Sequence, residues 1–163
     1  MDPTRRARRK LIAVLRGAYS GEMGAALAYR GHARSVGDEL VRAAIERIEL
    51  EEWAHRDIVG SMLRELGAAP DPVRERVNAT IGRTLGASCR FCGWTLPMFG
   101  AWLLERVNVA QYARAADHAE ALGRLDDART LRRMSEIEVA HARFFRSALR
   151  REVAPNPTKV AGA

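Results

Sequence analysis

Cysteine, lysine, proline and aromatic residues are all scarce in this sequence, and each scarcity excludes something. Of 163 residues only Cys89 and Cys92 are cysteines. One C-x-x-C cannot complete a structural zinc site or a rubredoxin-type iron site, each of which needs four ligands. The pair is expected as free thiols rather than as a disulfide or a metal site shared across a dimer. No run of about 18 apolar residues exists, which excludes a membrane-spanning helix. The N-terminus is charged and lacks the apolar core of a signal peptide. The expected location is cytoplasmic, with peripheral attachment at the inner face of the membrane left open. Aromatics make up 6 % of the chain, and proline is confined to the two ends, to Pro70–Pro72 and to Pro97. No stretch sustains strand alternation between turn signals, so the expected fold is all-α.

What remains is rich in alanine, leucine and arginine, which favour helix. The length suits one domain with a proper core. The formal charge is +7, and of 27 basic residues only Lys10 and Lys159 are lysines. Such a surface can meet anionic lipid, nucleic acid or an acidic partner. An ordinary solvated basic surface is the expectation, with no specific nucleic-acid partner.

Four long helices and one short helix are expected. Asp2-Pro3 is a cap followed by a first-turn proline, opening a helix to about Ser35. Its early basic cluster, Arg5 to Lys10, reads as a frayed, solvated turn or as a contact for phosphate or lipid. Asp38 caps a second helix to about Leu66. Asp71-Pro72 starts a short helix ending near Gly82, followed by a long crossover, residues 82–97, that holds the densest aromatic region. That crossover reads equally as a substrate-side flap or as plain packing. The next helix runs from near Pro97 to Leu122. Asp126 caps the last, which continues to about Arg151. Residues 1–152 are expected as a four-helix bundle of two helix hairpins, and residues 153–163 as a disordered tail.

Polar residues sit at apolar positions in four of these helices. The first stripe reads Leu11, Leu15, Ala18, Glu22, Ala25, Tyr29, and the second Val41, Ile45, Ile48, Glu52, His55, Val59, Met62. The third passes through Glu105, Asn108 and Tyr112, and the last through Met134, Glu138, His141 and Phe145. A carboxylate in such a stripe costs several kcal/mol unless it is paired or bound to metal. Each half has a lone glutamate followed by Glu-x-x-His, 30 residues from Glu22 to Glu52 and 33 from Glu105 to Glu138. Glutamate and histidine three apart share one helix face. This is the ligand set of a dinuclear carboxylate site in a four-helix bundle. Glu22 and His55 are assigned to one metal, Glu105 and His141 to the other, and Glu52 and Glu138 to bridging positions. Carboxylate-rich ligation suits iron, with manganese as a substitute, better than zinc. Tyr29 and Tyr112 each follow a ligand glutamate by seven residues, two turns on the same face. They read as partners of the ligands or as core tyrosines. Glu49, Glu51 and Asp57 lie off the stripe or at its edge, Glu49 being expected in solvent, and His32 and His118 are expected at the surface.

These residues resemble the ferritin-like di-iron carboxylate superfamily and, within it, the demethoxyubiquinone hydroxylases of ubiquinone biosynthesis. Gly21-Glu22-x-Gly24-Ala25, Tyr29, Gly31, the two Glu-x-x-His motifs and the Glu105–Tyr112 spacing carry the resemblance, over roughly residues 11–150. It implies a monooxygenase in which two ferrous ions activate O2 and one oxygen enters a quinone-like ring. Two electrons would come from NADH or a redox protein. The family reaches membrane quinones through an apolar segment before its third ligand helix. Here that segment, residues 82–104, is interrupted by Arg83, Arg90, Gly93 and Pro97 and carries both cysteines. The same ligands would also serve a rubrerythrin-like peroxidase or a ferritin-like iron-oxidising protein, although no rubredoxin module is present. A Dps-like DNA-binding protein fits poorly, because its sites lie between subunits. A homo-oligomer is left open.

Overall fold

The computed structural model describes residues 2–153, with side chains through residue 150. The expected tail beyond residue 153 lies outside the described residues. Five helices follow in order: α1 (Pro3–Ser35), α2 (Glu39–Glu65), α3 (Pro72–Ser88), α4 (Thr95–Glu120) and α5 (Leu125–Val153). No strand occurs among the described residues.

Three of the starts are set by aspartate caps. Asp2 accepts from the Thr4 amide at 3.0 Å, Asp38 from Leu40 and Val41, and Asp71 from Val73 and Arg74. Each bond satisfies a first-turn N–H that has no partner inside the helix. Asp126 does not cap α5. The helix already begins at Leu125, and Asp126 lies in its first turn, paired with Arg129. α4 starts two residues before Pro97 and has no side-chain cap. Proline is tolerated so early because the N–H it lacks would be unpaired anyway. Gly67 and Gly123 take positive φ, of 61° and 72°, just beyond α2 and α4. Only a residue without Cβ enters that region cheaply.

α1 packs against α2, α4 against α5, and α1 against α4, giving a four-helix bundle of two hairpins. α3 lies outside it, on α1. It runs to Ser88 rather than ending near Gly82, and the crossover proper is correspondingly short. Gly82 and Gly86 are contact points rather than breaks. A Cβ on Gly82 would stand 2.2 Å from the Gly24 carbonyl oxygen, and one on Gly31 would stand 2.3 Å from the Gly86 Cα. The two helix backbones touch because neither carries a side chain there. α3 and α4 do not pack on one another among the described residues, which leaves a gap between them.

The apolar stripes form two cores. One joins Leu11, Leu15, Val59, Leu63, Tyr112 and Leu131, and the other Ala25, Tyr29, Ile45, Ile48, Met98 and Phe145. Each fully buried large side chain contributes about 1.5–3 kcal/mol. The polar stripe residues lie between the two cores.

Candidate metal centre

Glu22 comes from the middle of α1, Glu52 and His55 from α2, Glu105 from α4, and Glu138 and His141 from α5. All six are buried, with no more than 4 % exposure. Their donor atoms fall into two overlapping quartets. Glu22, Glu52, His55 and Glu138 form one, and Glu52, Glu105, Glu138 and His141 form the other. Within each quartet one atom per residue lies within 4.8 Å of all the others, a spacing that could hold a metal ion. Glu52 and Glu138 belong to both. The structure thus brings together all six residues singled out in the sequence.

Both imidazoles present Nδ1 to the carboxylates. His55 Nδ1 is 2.9 Å from Glu138 Oε1, and His141 Nδ1 is 3.2 Å from Glu52 Oε1 and 3.4 Å from Glu138 Oε2. These approaches are not aligned as hydrogen bonds. Both Nδ1 atoms, both oxygens of Glu52 and of Glu138, and Oε2 of Glu22 and of Glu105 are buried without a hydrogen-bond partner. Each orphaned buried polar atom costs about 1–3 kcal/mol, so eight in one cluster would be a severe defect in a metal-free design. Coordination to metal would give them partners, and the oxygen-rich donor set with one imidazole per quartet fits iron or manganese.

The protonation pattern points the same way. Burial, and then mutual repulsion, pushes Glu52 well above the usual carboxylate range. Burial likewise raises Glu22, and burial together with Glu138 raises Glu105 well above that range. Burial alone would raise Glu138 too, yet its neighbours Glu105, His141 and His55 bring it down to about 2. Burial opposes protonation of His141, but Glu138 and Glu51 outweigh it and the ring's pKa rises. Four carboxylates in one interior cannot all remain ionised without compensating positive charge. Protons supply it in the metal-free protein, and metal ions would replace them.

The two tyrosines connect the halves crosswise. Tyr29 on α1 donates to Glu105 Oε1 on α4, and Tyr112 on α4 donates to Glu22 Oε1 on α1. Burial and the adjacent carboxylates hold both phenols well above their ordinary pKa, so they remain donors. Each fixes one oxygen of a glutamate and leaves the other free to face the site. They are partners of the cluster rather than plain core residues.

Three side chains depart from their expected places. Glu51, off the stripe, reaches across from α2 to His141 Nε2 at 2.5 Å, orienting the ring from behind. No sequence signal marked it, because the contact depends on how α2 and α5 pack. Glu49 is buried rather than solvated, held by Arg30 Nε at 2.8 Å and by Trp53 Nε1 at 3.3 Å. His32 is also buried rather than at the surface. It stacks on Phe145 at 6.3 Å, and burial lowers its pKa to about 4. His118 is partly exposed.

Beside the cluster, in the gap between α3 and α4, lies an apolar cavity of about 510 Å³. Its wall includes Ala28, Tyr29, His32, Leu85, Ala101 and Leu104, together with Cys89 and Cys92. Tyr29 therefore faces the cavity while bonded to Glu105. Cavities of about 300–1,000 Å³ hold small organic ligands. Several side chains around it are half-exposed and apolar: Leu85, Leu96, Leu103 and Val107. No helix among the described residues is long and apolar enough to cross a membrane.

A model of the protein family described as ubiquinone biosynthesis protein COQ7 matches residues 9–141, a span that contains the whole cluster. No curated protein and no solved structure matches the chain. On that match the chain belongs to the COQ7 family of ubiquinone biosynthesis proteins.

Proposed function

We propose that the protein is a di-iron monooxygenase that hydroxylates a quinone ring, as a demethoxyubiquinone hydroxylase does. The observation that carries this reading is the continuity of site and cavity through Tyr29. One side chain bonds a candidate ligand and lines an apolar chamber large enough for a substituted ring.

In this reading Glu22 and His55 would hold one iron and Glu105 and His141 the other, with Glu52 and Glu138, common to both quartets, available to each. Two ferrous ions held there would supply the reducing power to activate O2. The protein's own side chains do the rest. Tyr29 and Tyr112 fix the terminal glutamates, and Glu51 sets the ring plane and proton position of His141. The alanine and leucine walls exclude water from the ring, and His32, kept neutral by burial, adds no charge to the cavity. The half-exposed apolar side chains on α3 and α4 suit peripheral contact with a membrane, from which an apolar quinone would enter. A second pair of electrons is needed for each turnover and would come from NADH or a redox protein.

The test is turnover of the iron-loaded chain with O2, a reductant and a short-chain quinone analogue lacking one ring hydroxyl. Hydroxylated quinone formed in proportion to O2 consumed is the expected result. Peroxide turnover without ring hydroxylation would replace this reading by a rubrerythrin-like peroxidase or an iron-oxidising protein.

A further inference from the structure

Cys89 and Cys92 line the cavity but belong to neither quartet of the cluster. We propose that they form a redox dithiol that reduces a quinone-class molecule in the apolar cavity and closes to a disulfide as it does so. The inference rests on reading the cavity as a quinone site.

The backbone brings the two residues into one turn. The Cys89 amide donates to the Leu85 carbonyl at 3.2 Å, and the Phe91 and Cys92 amides both return to the Ser88 carbonyl, at 2.9 and 3.2 Å. Residues 89–92 therefore lie in one tight turn at the end of α3. Residues three apart in such a turn have Cα atoms within about 7 Å, close to the span of about 4.4–6.8 Å that a disulfide bridges. The two thiols differ in access. Cys92 is exposed, whereas Cys89 is partly buried and donates its S–H to Leu85 at 3.1 Å. Burial, and then the neighbouring Cys92, raises the Cys89 thiol above its ordinary pKa. One accessible attacking sulfur and one sheltered resolving sulfur make a working dithiol. Core packing does not account for an exposed cysteine. Both cysteines line the same cavity as Tyr29, so one cavity joins the dithiol to a tyrosine bonded to Glu105.

The reaction balances without a further reagent. The Cys92 thiolate adds to a ring carbon of the quinone, forming an S–C bond, and a ring oxygen takes up a proton. Cys89 Sγ then attacks Cys92 Sγ. The S–S bond forms, the S–C bond breaks, its electron pair stays with the ring, and the second oxygen is protonated. Two thiols and one quinone become one disulfide and one hydroquinone, a transfer of two electrons and two protons. A protein dithiol of the thioredoxin class would restore the pair by exchange. Ring hydroxylation by O2 needs two external electrons, the number this couple delivers.

The test uses the iron-loaded chain, reduced with dithiothreitol, desalted without air and mixed with a dimethoxy-methyl-benzoquinone carrying a short alkyl tail. One hydroquinone per chain should form beyond that made by the Cys89→Ser/Cys92→Ser double variant. Two free thiols should disappear, and the mass should fall by two hydrogens. Gly100 lines the cavity, and a Cβ placed there meets nothing within 4 Å. Gly100→Trp should therefore fill the cavity and slow quinone reduction by about tenfold or more. Oxidation of the same thiols by a small soluble disulfide should keep its rate. A mass raised by one quinone with no disulfide, or hydroquinone no greater than in the double variant, would overturn the dithiol couple and leave the cavity reading standing. Undiminished reduction in Gly100→Trp would overturn the cavity reading, and this proposal with it.

Discussion

At one end of the bundle Tyr112 donates to Glu22 inside a closed core of Leu11, Leu15, Leu63 and Leu131. At the other end Tyr29 donates to Glu105 and also forms part of the wall of a 510 Å³ cavity. The two ends carry equivalent side chains: one glutamate fixed by a tyrosine from the opposite hairpin, and one histidine facing carboxylates common to both quartets. They differ in what lies beyond the tyrosine. α3 packs on α1 but not on α4, and the gap it leaves is the opening. The two hairpins build the cluster, and α3, the helix without a counterpart, leaves a cavity beside one end only. A smaller asymmetry runs alongside. Glu51 backs His141 from the position before Glu52, whereas the position before Glu138 is Ile137.

The largest effect should come from breaking what the ends share. Glu52 belongs to both quartets and Glu22 to one. Glu52→Ala is expected to lose both irons, and Glu22→Ala one, read as iron per chain after reconstitution. Equal losses would show that the quartets do not overlap. In the metal-free protein Glu52→Met, which fills the same space, should instead stabilise by about 1–4 kcal/mol, because it removes buried oxygens without partners.

Next in size is the contact that sets the open end. Gly31→Ala drives a methyl into Gly86 and should cost about 1–3 kcal/mol in chemical unfolding. Gly21, one turn before Gly24 on the same helix, has open space around its Cβ position. Gly21→Ala should gain up to about 1 kcal/mol. Both variants should keep their iron. Loss of iron in Gly31→Ala would mean that α3 also supports the cluster.

The tyrosines test the asymmetry itself. Tyr29→Phe and Tyr112→Phe should each weaken metal binding by about tenfold, the lower end of the usual effect of losing a hydrogen bond to a ligand. Only Tyr29→Phe should also change KM for the quinone analogue. A matching change in Tyr112→Phe would show that the closed end is not closed.

The smallest effect concerns His32, which lines the cavity. Its pKa is about 4 in the folded chain against 6.5 for a free ring. Between those values the unfolded chain binds more protons, so stability rises with pH and is lost as pH falls from 6.5 towards 4. At about pH 5.5 the loss is about 1.4 kcal/mol. His32→Phe should remove that part of the acid sensitivity, seen as a shallower fall in Tm over the same range. An unchanged slope would place the acid sensitivity elsewhere.

Much of the fold and the six cluster residues were legible in the sequence, because both depend on local rules. Asp2, Asp38 and Asp71 announce helix starts by the side-chain bonds they make to the next turn. Glu22 and Glu52 stand out because a charge in an apolar stripe needs a reason. What was not legible depends on packing between helices. Gly82 reads as a stop in a single helix, and its role as a contact appears only when Gly24 lies opposite. His32 falls outside the α1 stripe, but α1 is covered by α3 as well as by the bundle, so its buried arc is wider than one stripe. Glu51 reaches His141 only because α2 and α5 lie side by side there. The cavity has no sequence signature at all, being a space between two helices that do not meet.

The most direct test of the shared-carboxylate centre is Mössbauer and EPR spectroscopy of the chain loaded with isotopically enriched iron and then oxidised. Two ferric ions bridged by Glu52 and Glu138 should couple antiferromagnetically, giving a diamagnetic ground state, no EPR signal and two irons per chain. One iron per chain with the EPR signal of an isolated high-spin ferric ion would contradict the dinuclear centre on which the functional reading stands.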